Sequence, residues 1–470
     1  MPSAPGGTMS RKMSRRDFLH RSCCTAAAGV AAASFSRLGL INAMAQSSQD
    51  YKALVCIFLF GGNDANNLIV PLNSADYTNY AKIRAGLALA QGNLLPVTPA
   101  SVGLPFGFHP RLGEVQTMFK QGQLALLANV GTLIRPTTRD QYQKRQVAVP
   151  DNLYSHSDQQ QQMQTATLDK FAEVGWGGRL ADKIQSQFGG NFPVVISLAG
   201  SNVFAEGLVV RPIESSGDPT RLLSGFNGSS EDNARMAALQ NLLTFETGLS
   251  LIQSSSTTTS NAVQDSQTLA TALAQGGSLS TAFPSTNLGS QLKQVARIIQ
   301  VRSALGLSRQ IFFVSIDGFD THEGQLAQQD SLFQNLSQSM NAFYQATIEL
   351  GIAPQVTTFT MSDFSRTFQP DSTAGTDHAW GSHHLIAGGA VAGGDFYGTF
   401  PTQVLSGPDD ATDEGRWIPT TSLDQYGATL AQWFGVSAGD LPSIFPNLPN
   451  FANPTLNFVG AGAHSRRSRT

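Results

Sequence analysis

The side chains able to do metal or acid–base chemistry are unevenly spread along this 470-residue chain. Eight histidines are present, and four fall between His322 and His384, a stretch that also carries Asp317, Asp320, Asp363, Asp371 and Asp377. Charged residues make up only 13% of the chain, so this is a local excess of potential ligands. Ile316-Asp317-Gly318-Phe319-Asp320-Thr321-His322 sets two carboxylates and an imidazole straight after an apolar run. Ser362-Asp363-Phe364-Ser365-Arg366 follows another such run, and Asn63-Asp64 closes a third. Thr376-Asp377-His378 and Ser382-His383-His384 share a glycine-flanked segment. A carboxylate and an imidazole a few residues apart can close on one divalent ion. Oxygen mixed with imidazole nitrogen suits Zn²⁺, Mn²⁺ or Mg²⁺ more than a thiolate site. A single Asp after a strand is usually a turn former or helix cap. Three Asp-bearing loops, two of them with His, point to a metal or anion site.

Tyr154-Ser155-His156-Ser157-Asp158 offers a nucleophile. A serine opening a helix sits at the positive end of the dipole, beside free backbone N–H groups. With a metal lowering its hydroxyl pKa, Ser157 or Ser155 is placed to attack a phosphate or sulfate ester. The plainer alternative makes either serine an N-cap, with Asp158 complementing the dipole. His156, between the two serines, joins them as a catalytic candidate, and His109 either reaches the same site or packs within its loop. Arg366 can pair with a transferring anionic group or with a neighbouring acid. No G-x-S-x-G elbow follows a strand, so a Ser–His–Asp hydrolase has no support.

These residues must be positioned by the elements around them. Lys52 to Phe60, Gln123 to Val130, Phe192 to Leu198, Gln310 to Ile316 and Gln355 to Met361 are nearly continuous apolar runs and predict buried strands. Helical spacing covers Arg111 to Lys120, Gln159 to Ala172, Asp232 to Ile252, Asn287 to Leu305 and Leu332 to Leu350. Strands alternating with helices predict an α/β fold, a central mainly parallel sheet flanked by helices on both faces. Ligands then bind beyond the carboxyl ends of strands, which directs attention to the loops after Phe60, Ile316 and Met361. Residues 254–287, rich in Ser, Thr, Gln and Ala, read as a solvated insertion or a polar helical hairpin.

The N-terminus sets the expected compartment. Ser14-Arg15-Arg16-Asp17-Phe18-Leu19 is a paired-arginine motif, Thr25 to Ala33 is a short apolar run, and Ala43-Met44-Ala45 offers small residues for cleavage. Together they predict a twin-arginine signal peptide over residues 1–45, with the Tat translocase as export partner and a periplasmic or extracellular mature protein. Cys23 and Cys24 would leave with the signal, so mature Cys56 has no disulfide partner in the chain. No segment is long and apolar enough to span a bilayer. The net charge of −3 shows no basic patch, which excludes a nucleic-acid partner as an expectation. Residues 46–455 are expected to form one domain, and 456–470 a disordered tail.

Several segments are shared, in order, with one family: FLFGGNDANNLIVPL from Phe58, FHPRLGEV from Phe108, YSHSDQQQQMQT from Tyr154, GWGGRLAD from Gly175, DGFDTHEGQ from Asp317, MSDFSRTFQP from Met361 and GTDHAWGSHH from Gly375. On these the chain resembles the domain of unknown function 1501 family, Tat-exported bacterial proteins grouped with the alkaline phosphatase and sulfatase superfamily. The resemblance covers about residues 50 to 450 and implies an alkaline phosphatase-like architecture. It implies a metal-binding Asp at Asp64, a nucleophile at Ser157 or Ser155, and metal ligands at Asp317 and His322 with Asp320 as an alternative carboxylate. The superfamily then has an Asp-His pair and a later His. Asp363 takes the Asp position, but Phe364 stands where the His belongs. The later His is then His378, with His383 or His384 behind it, or Asp377-His378 is itself the pair. The resemblance thus implies one or two divalent ions, zinc, manganese or magnesium. The expected function is an exported metal-dependent hydrolase of phosphate or sulfate esters, with a small anionic ester as substrate. The alternative, favoured by Phe364, is a non-catalytic periplasmic protein that binds a glycan, an anionic polymer or a partner on a degenerate site.

Overall fold

The computed structural model describes residues 51–188, 192–214, 229–245 and 248–460. The twin-arginine motif, the apolar run and the cleavage site lie outside these residues, as do residues 461–470. The strands are β1 (Lys52–Leu59), β2 (Ile69–Pro71), β3 (Leu95–Val97), β4 (Phe106–Phe108), β5 (Leu124–Gly131), β6 (Val195–Ser197), β7 (Ile213–Glu214), β8 (Arg309–Ile316), β9 (Val356–Ser362), β10 (Ser382–Gly388), β11 (Phe396–Tyr397) and β12 (Thr421–Ser422). The main sheet runs β11-β5-β10-β9-β1-β8-β6-β7, with β12 also on β5, and a small antiparallel sheet joins β2, β4 and β3.

The centre of the main sheet is parallel. β1 lies between β8 and β9, parallel to both, with Cys56 level with Phe313 on one side and Phe359 on the other. β5, β8 and β9 are buried along their whole length, and β1 along all but its first residue. That burial on both faces is why these runs are continuously apolar. Helices flank the sheet. Asn287–Gln300 turns Leu288, Leu292, Val295, Ile298 and Ile299 inward at helical spacing. Gln325–Glu349 follows β8 and carries the chain back to β9. The mixed α/β class with a mainly parallel central sheet is therefore as the sequence predicts.

Three expectations change. Ser382–Gly388 is a buried strand, β10, antiparallel to both β5 and β9, where the sequence suggested a loop. Its polar start, Ser382-His383-His384, conceals an element whose burial comes from its neighbours. Most of residues 254–287 belong to a 25-residue helix, Ser250–Ala274, packed on Ser230–Leu243. This is the helical-hairpin alternative; Thr257, Thr258, Thr259, Thr268 and Thr271 satisfy their hydroxyls on carbonyls one turn back. Finally, residues 456–460 are not a loose tail. Phe458 is buried against Tyr426 and Tyr397, and Val459 bridges to Val391.

Candidate metal centre

The loops after β9, β1 and β8 leave adjacent parallel strands at the same sheet end. The turn after β1 depends on two glycines: Gly61 at φ +109° and Gly62 at φ +81°. A Cβ on Gly62 would fall 2.4 Å from the Phe364 ring, so glycine here admits both the backbone turn and the aromatic side chain. The fourth contributor is the start of helix His156–Thr165.

From these segments three imidazoles meet. His378 Nε2 lies 3.0 Å from His156 Nε2 and 3.0 Å from His322 Nε2. Asp320 Oδ1 lies 3.4, 3.0 and 3.4 Å from the Nε2 atoms of His156, His322 and His378. A metal with ligands about 2.0–2.1 Å away in a tetrahedron would separate them by about 3.3 Å. His156, Asp320 and His378 form a group whose candidate ligand atoms all lie within 4.8 Å of one another, and His322 adjoins it through His378 and Asp320.

The other ring nitrogens decide the proton positions. His156 Nδ1 is 2.7 Å from Asp363 Oδ2, and His378 Nδ1 is 2.8 Å from the Tyr154 carbonyl. His322 Nδ1 faces Asp377 Oδ1 at 3.5 Å. Carboxylates and carbonyls only accept, so the Nδ1 atoms of His156 and His378 carry protons and their Nε2 atoms face inward. His156 and His378 are each oriented by an outer acceptor, an arrangement that metal-binding histidines use.

The local electrostatics are finely opposed. The hydrogen bond that His156 donates to Asp363 raises the pKa of His156, and with the charges of Asp363 and Asp320 it overcomes the opposing effect of partial burial. Burial lowers that of His378 despite the Tyr154 carbonyl. Burial pushes the Asp320 carboxyl up, but the Arg366 guanidinium and the imidazoles bring it net below the usual range. The four inner side chains remain between 25% and 46% exposed, so the centre is open to solvent.

The remaining expected site residues take other places. Asp64 is fully buried, ion-paired with Arg84 and hydrogen-bonded by Gln325, and it caps helix Ala65–Leu68 through Asn66 N. The guanidinium supplies the positive charge that a metal was expected to bring. Asp363 stands one layer out, holding His156 and accepting from Gln160 Nε2 at 2.7 Å and Gly61 N at 3.2 Å. Asp377 is likewise an outer partner, and Asp317 is exposed to solvent. Arg366 is buried and committed to Asp320, Thr376 and the Gly61 carbonyl. It therefore has the structural ion pair, not a free anion-binding role. Ser155 and Ser157 both donate to Asp158 Oδ2, at 2.7 and 3.2 Å, and it is His156 between them that enters the cluster. His383 is buried in β10, accepting from Asn129 N at 2.9 Å and stacked on Phe400, with burial pushing it down to about 3. His384 is buried beside Tyr426 and shifted equally far. His109 packs on Phe333 with its pKa pushed down to about 4 by burial. Phe364, in place of the expected imidazole, forms a wall against the rings of His156 and His378.

Residues 51–412 match the family model described as Protein of unknown function (DUF1501). The chain belongs to the DUF1501 family. No curated protein matches it. All four inner residues of the DUF1501 centre, His156, Asp320, His322 and His378, lie inside the matched span, as do Asp363, Asp377 and Arg366 around them.

Proposed function

We propose that this DUF1501 protein is an exported metal-dependent hydrolase of alkaline phosphatase-like architecture. One divalent ion would be held by His156, His322, His378 and Asp320. The carrying observation is the convergence of the His156 and His378 rings and one Asp320 carboxylate oxygen, with His322 beside the last two. Three imidazoles favour Zn²⁺ among the expected ions, and Mg²⁺ least, because it prefers an oxygen octahedron. When bound, such an ion supplies Lewis-acid polarisation and an acidified water.

The chain's own residues prepare that chemistry. Asp363 fixes the tautomer and direction of His156, and the Tyr154 carbonyl does the same for His378. Arg366 holds Asp320 ionised. Water is the attacking group in this reading, because Asp158 already engages the hydroxyls of Ser155 and Ser157. Export rests on Arg15-Arg16 and the Ala43-Met44-Ala45 site; replacing both arginines by lysine should retain the precursor in the cytoplasm.

A second reading, a non-catalytic binding protein, draws on the same geometry. With His322 added to the other three, four protein ligands would complete a tetrahedron, as in structural sites, whereas hydrolytic sites keep a position open. The test is turnover of 4-nitrophenyl phosphate, sulfate and acetate by zinc-loaded and chelated protein. Activity lost on chelation and restored by zinc supports the hydrolase. A protein that binds zinc stoichiometrically and cleaves none of the three supports the binding reading.

A further inference from the structure

Tyr154 holds a backbone conformation that L side chains rarely adopt, at φ +74°. A left-handed aromatic residue is disfavoured by its Cβ and persists only where its surroundings fix it. Here they do so on every side. The Tyr154 N–H donates to Oε1 of buried Gln159 at 2.7 Å, and the carbonyl accepts from His378 Nδ1 at 2.8 Å. The hydroxyl lies 2.8 Å from that of Tyr142. The Arg416 guanidinium carbon lies over the Tyr154 ring, 4.9 Å from its centroid. The same guanidinium reaches His378 by its main chain, with Arg416 Nε donating to the His378 carbonyl at 2.7 Å. Arg416 is in turn held by Glu414 and donates to the Thr412 hydroxyl at 3.1 Å. A closed loop therefore runs from Arg416 through the His378 main chain and ring to the Tyr154 carbonyl, and through the Tyr154 ring back to Arg416.

We infer that Arg416 is a positioning residue, which clamps both partners of the His378 Nδ1 hydrogen bond and so sets the direction and tautomer of the His378 ring. Its consequence, a higher affinity for the ion, rests on the metal reading of the site; its cause rests on this geometry alone. The contact with His378 is to the main chain and not to the ring, so Arg416 acts through His378 and not on the ion. A guanidinium is planar, and can donate along its edge while its face lies on an aromatic ring. A lysine keeps the charge but has no such plane, so it cannot reproduce the two contacts together.

The experiment compares the full chain with Arg416→Gln and Arg416→Lys at about pH 8, where free imidazole is neutral. The first readout, on metal-free protein, is nitrogen NMR of labelled histidine, with the His378 signal assigned by its absence in His378→Gln. The wild-type ring should show the Nδ1–H tautomer, and both Arg416 variants a mixture of the two tautomers. The second is Zn²⁺ affinity by competition with a chelator, together with the visible bands of the Co²⁺ form. Both variants should bind Zn²⁺ about tenfold or more weakly and shift the cobalt bands. Arg416→Lys, which can keep the ion pair with Glu414, carries the test if Arg416→Gln does not fold. Variants that melt earlier but keep the wild-type tautomer, affinity and bands overturn the inference, because Arg416 is then only structural. Wild-type protein that takes up neither ion, with a His378 tautomer that still depends on Arg416, removes the metal reading and leaves the positioning role standing. No uptake and no change of tautomer overturn both.

Discussion

Asp363→Asn is the perturbation that most cleanly separates a metal centre from a cluster of surface histidines. Asp363 touches no metal position; its carboxylate accepts from His156 Nδ1 and Gln160 Nε2, both at 2.7 Å, and from Gly61 N at 3.2 Å. Asparagine keeps the shape and one acceptor oxygen. It removes the charge and sets an NH₂ group toward either the His156 N–H or the Gly61 N–H, where donor would face donor. The His156 ring then loses both its fixed direction and the charge that raises its basicity. Losing such an outer partner typically weakens metal binding about 10- to 100-fold, or about 1.4–2.7 kcal/mol. The assay is competition for zinc against a chromogenic chelator, with circular dichroism to confirm folding. An unchanged zinc affinity in a folded variant would refute the reasoning, because His156 would not then depend on Asp363 for its role.

Other consequences are as specific. Asp64→Ala leaves Arg84 buried without its partner, which should cost about 3–5 kcal/mol of stability while the folded fraction still binds one metal; chemical denaturation with zinc titration checks both parts. Gly62→Ala combines a positive φ with a methyl group driven into Phe364, and should lower the midpoint of thermal unfolding. Burial raises the pKa of Asp424 to about 7 from its ordinary 3.8, despite hydrogen bonds from Asn447 and Ser422. The folded state therefore holds a proton that the unfolded chain releases, so this group's stabilisation is complete below about pH 4. It is lost as pH rises toward 7, with a slope of at most about 1.4 kcal/mol per pH unit. Denaturation at several pH values should show that slope disappear in Asp424→Asn.

The parallel strands were legible because burial on both faces forces continuous apolar runs such as KALVCIFL in β1. β10 was not, because His383 and His384 are made tolerable only by Asn129, Phe400 and Tyr426 from other elements. The same division holds for the site. Strand ends told which loops to inspect, and His322 and His378 were found there. Choosing among nearby acids required side-chain directions. Asp320 turns inward and Asp317, three residues earlier, faces solvent. Asp64 is intercepted by Arg84 from helix Ser74–Arg84, a tertiary partner that no local motif announces. His156 was noticed as a catalytic candidate beside two serines. About 100° of helix rotation per residue sends it, and not its neighbours, to the inner cluster.

The most direct test of the metal centre is elemental analysis of protein purified without chelators or immobilised-metal resin, alongside His378→Ala prepared identically. About one equivalent of zinc or another imidazole-preferring divalent ion per wild-type chain is expected, with a marked loss in the variant. Wild-type protein that carries no such ion and takes none up on dialysis, or a folded His378→Ala that keeps the full equivalent, would contradict it.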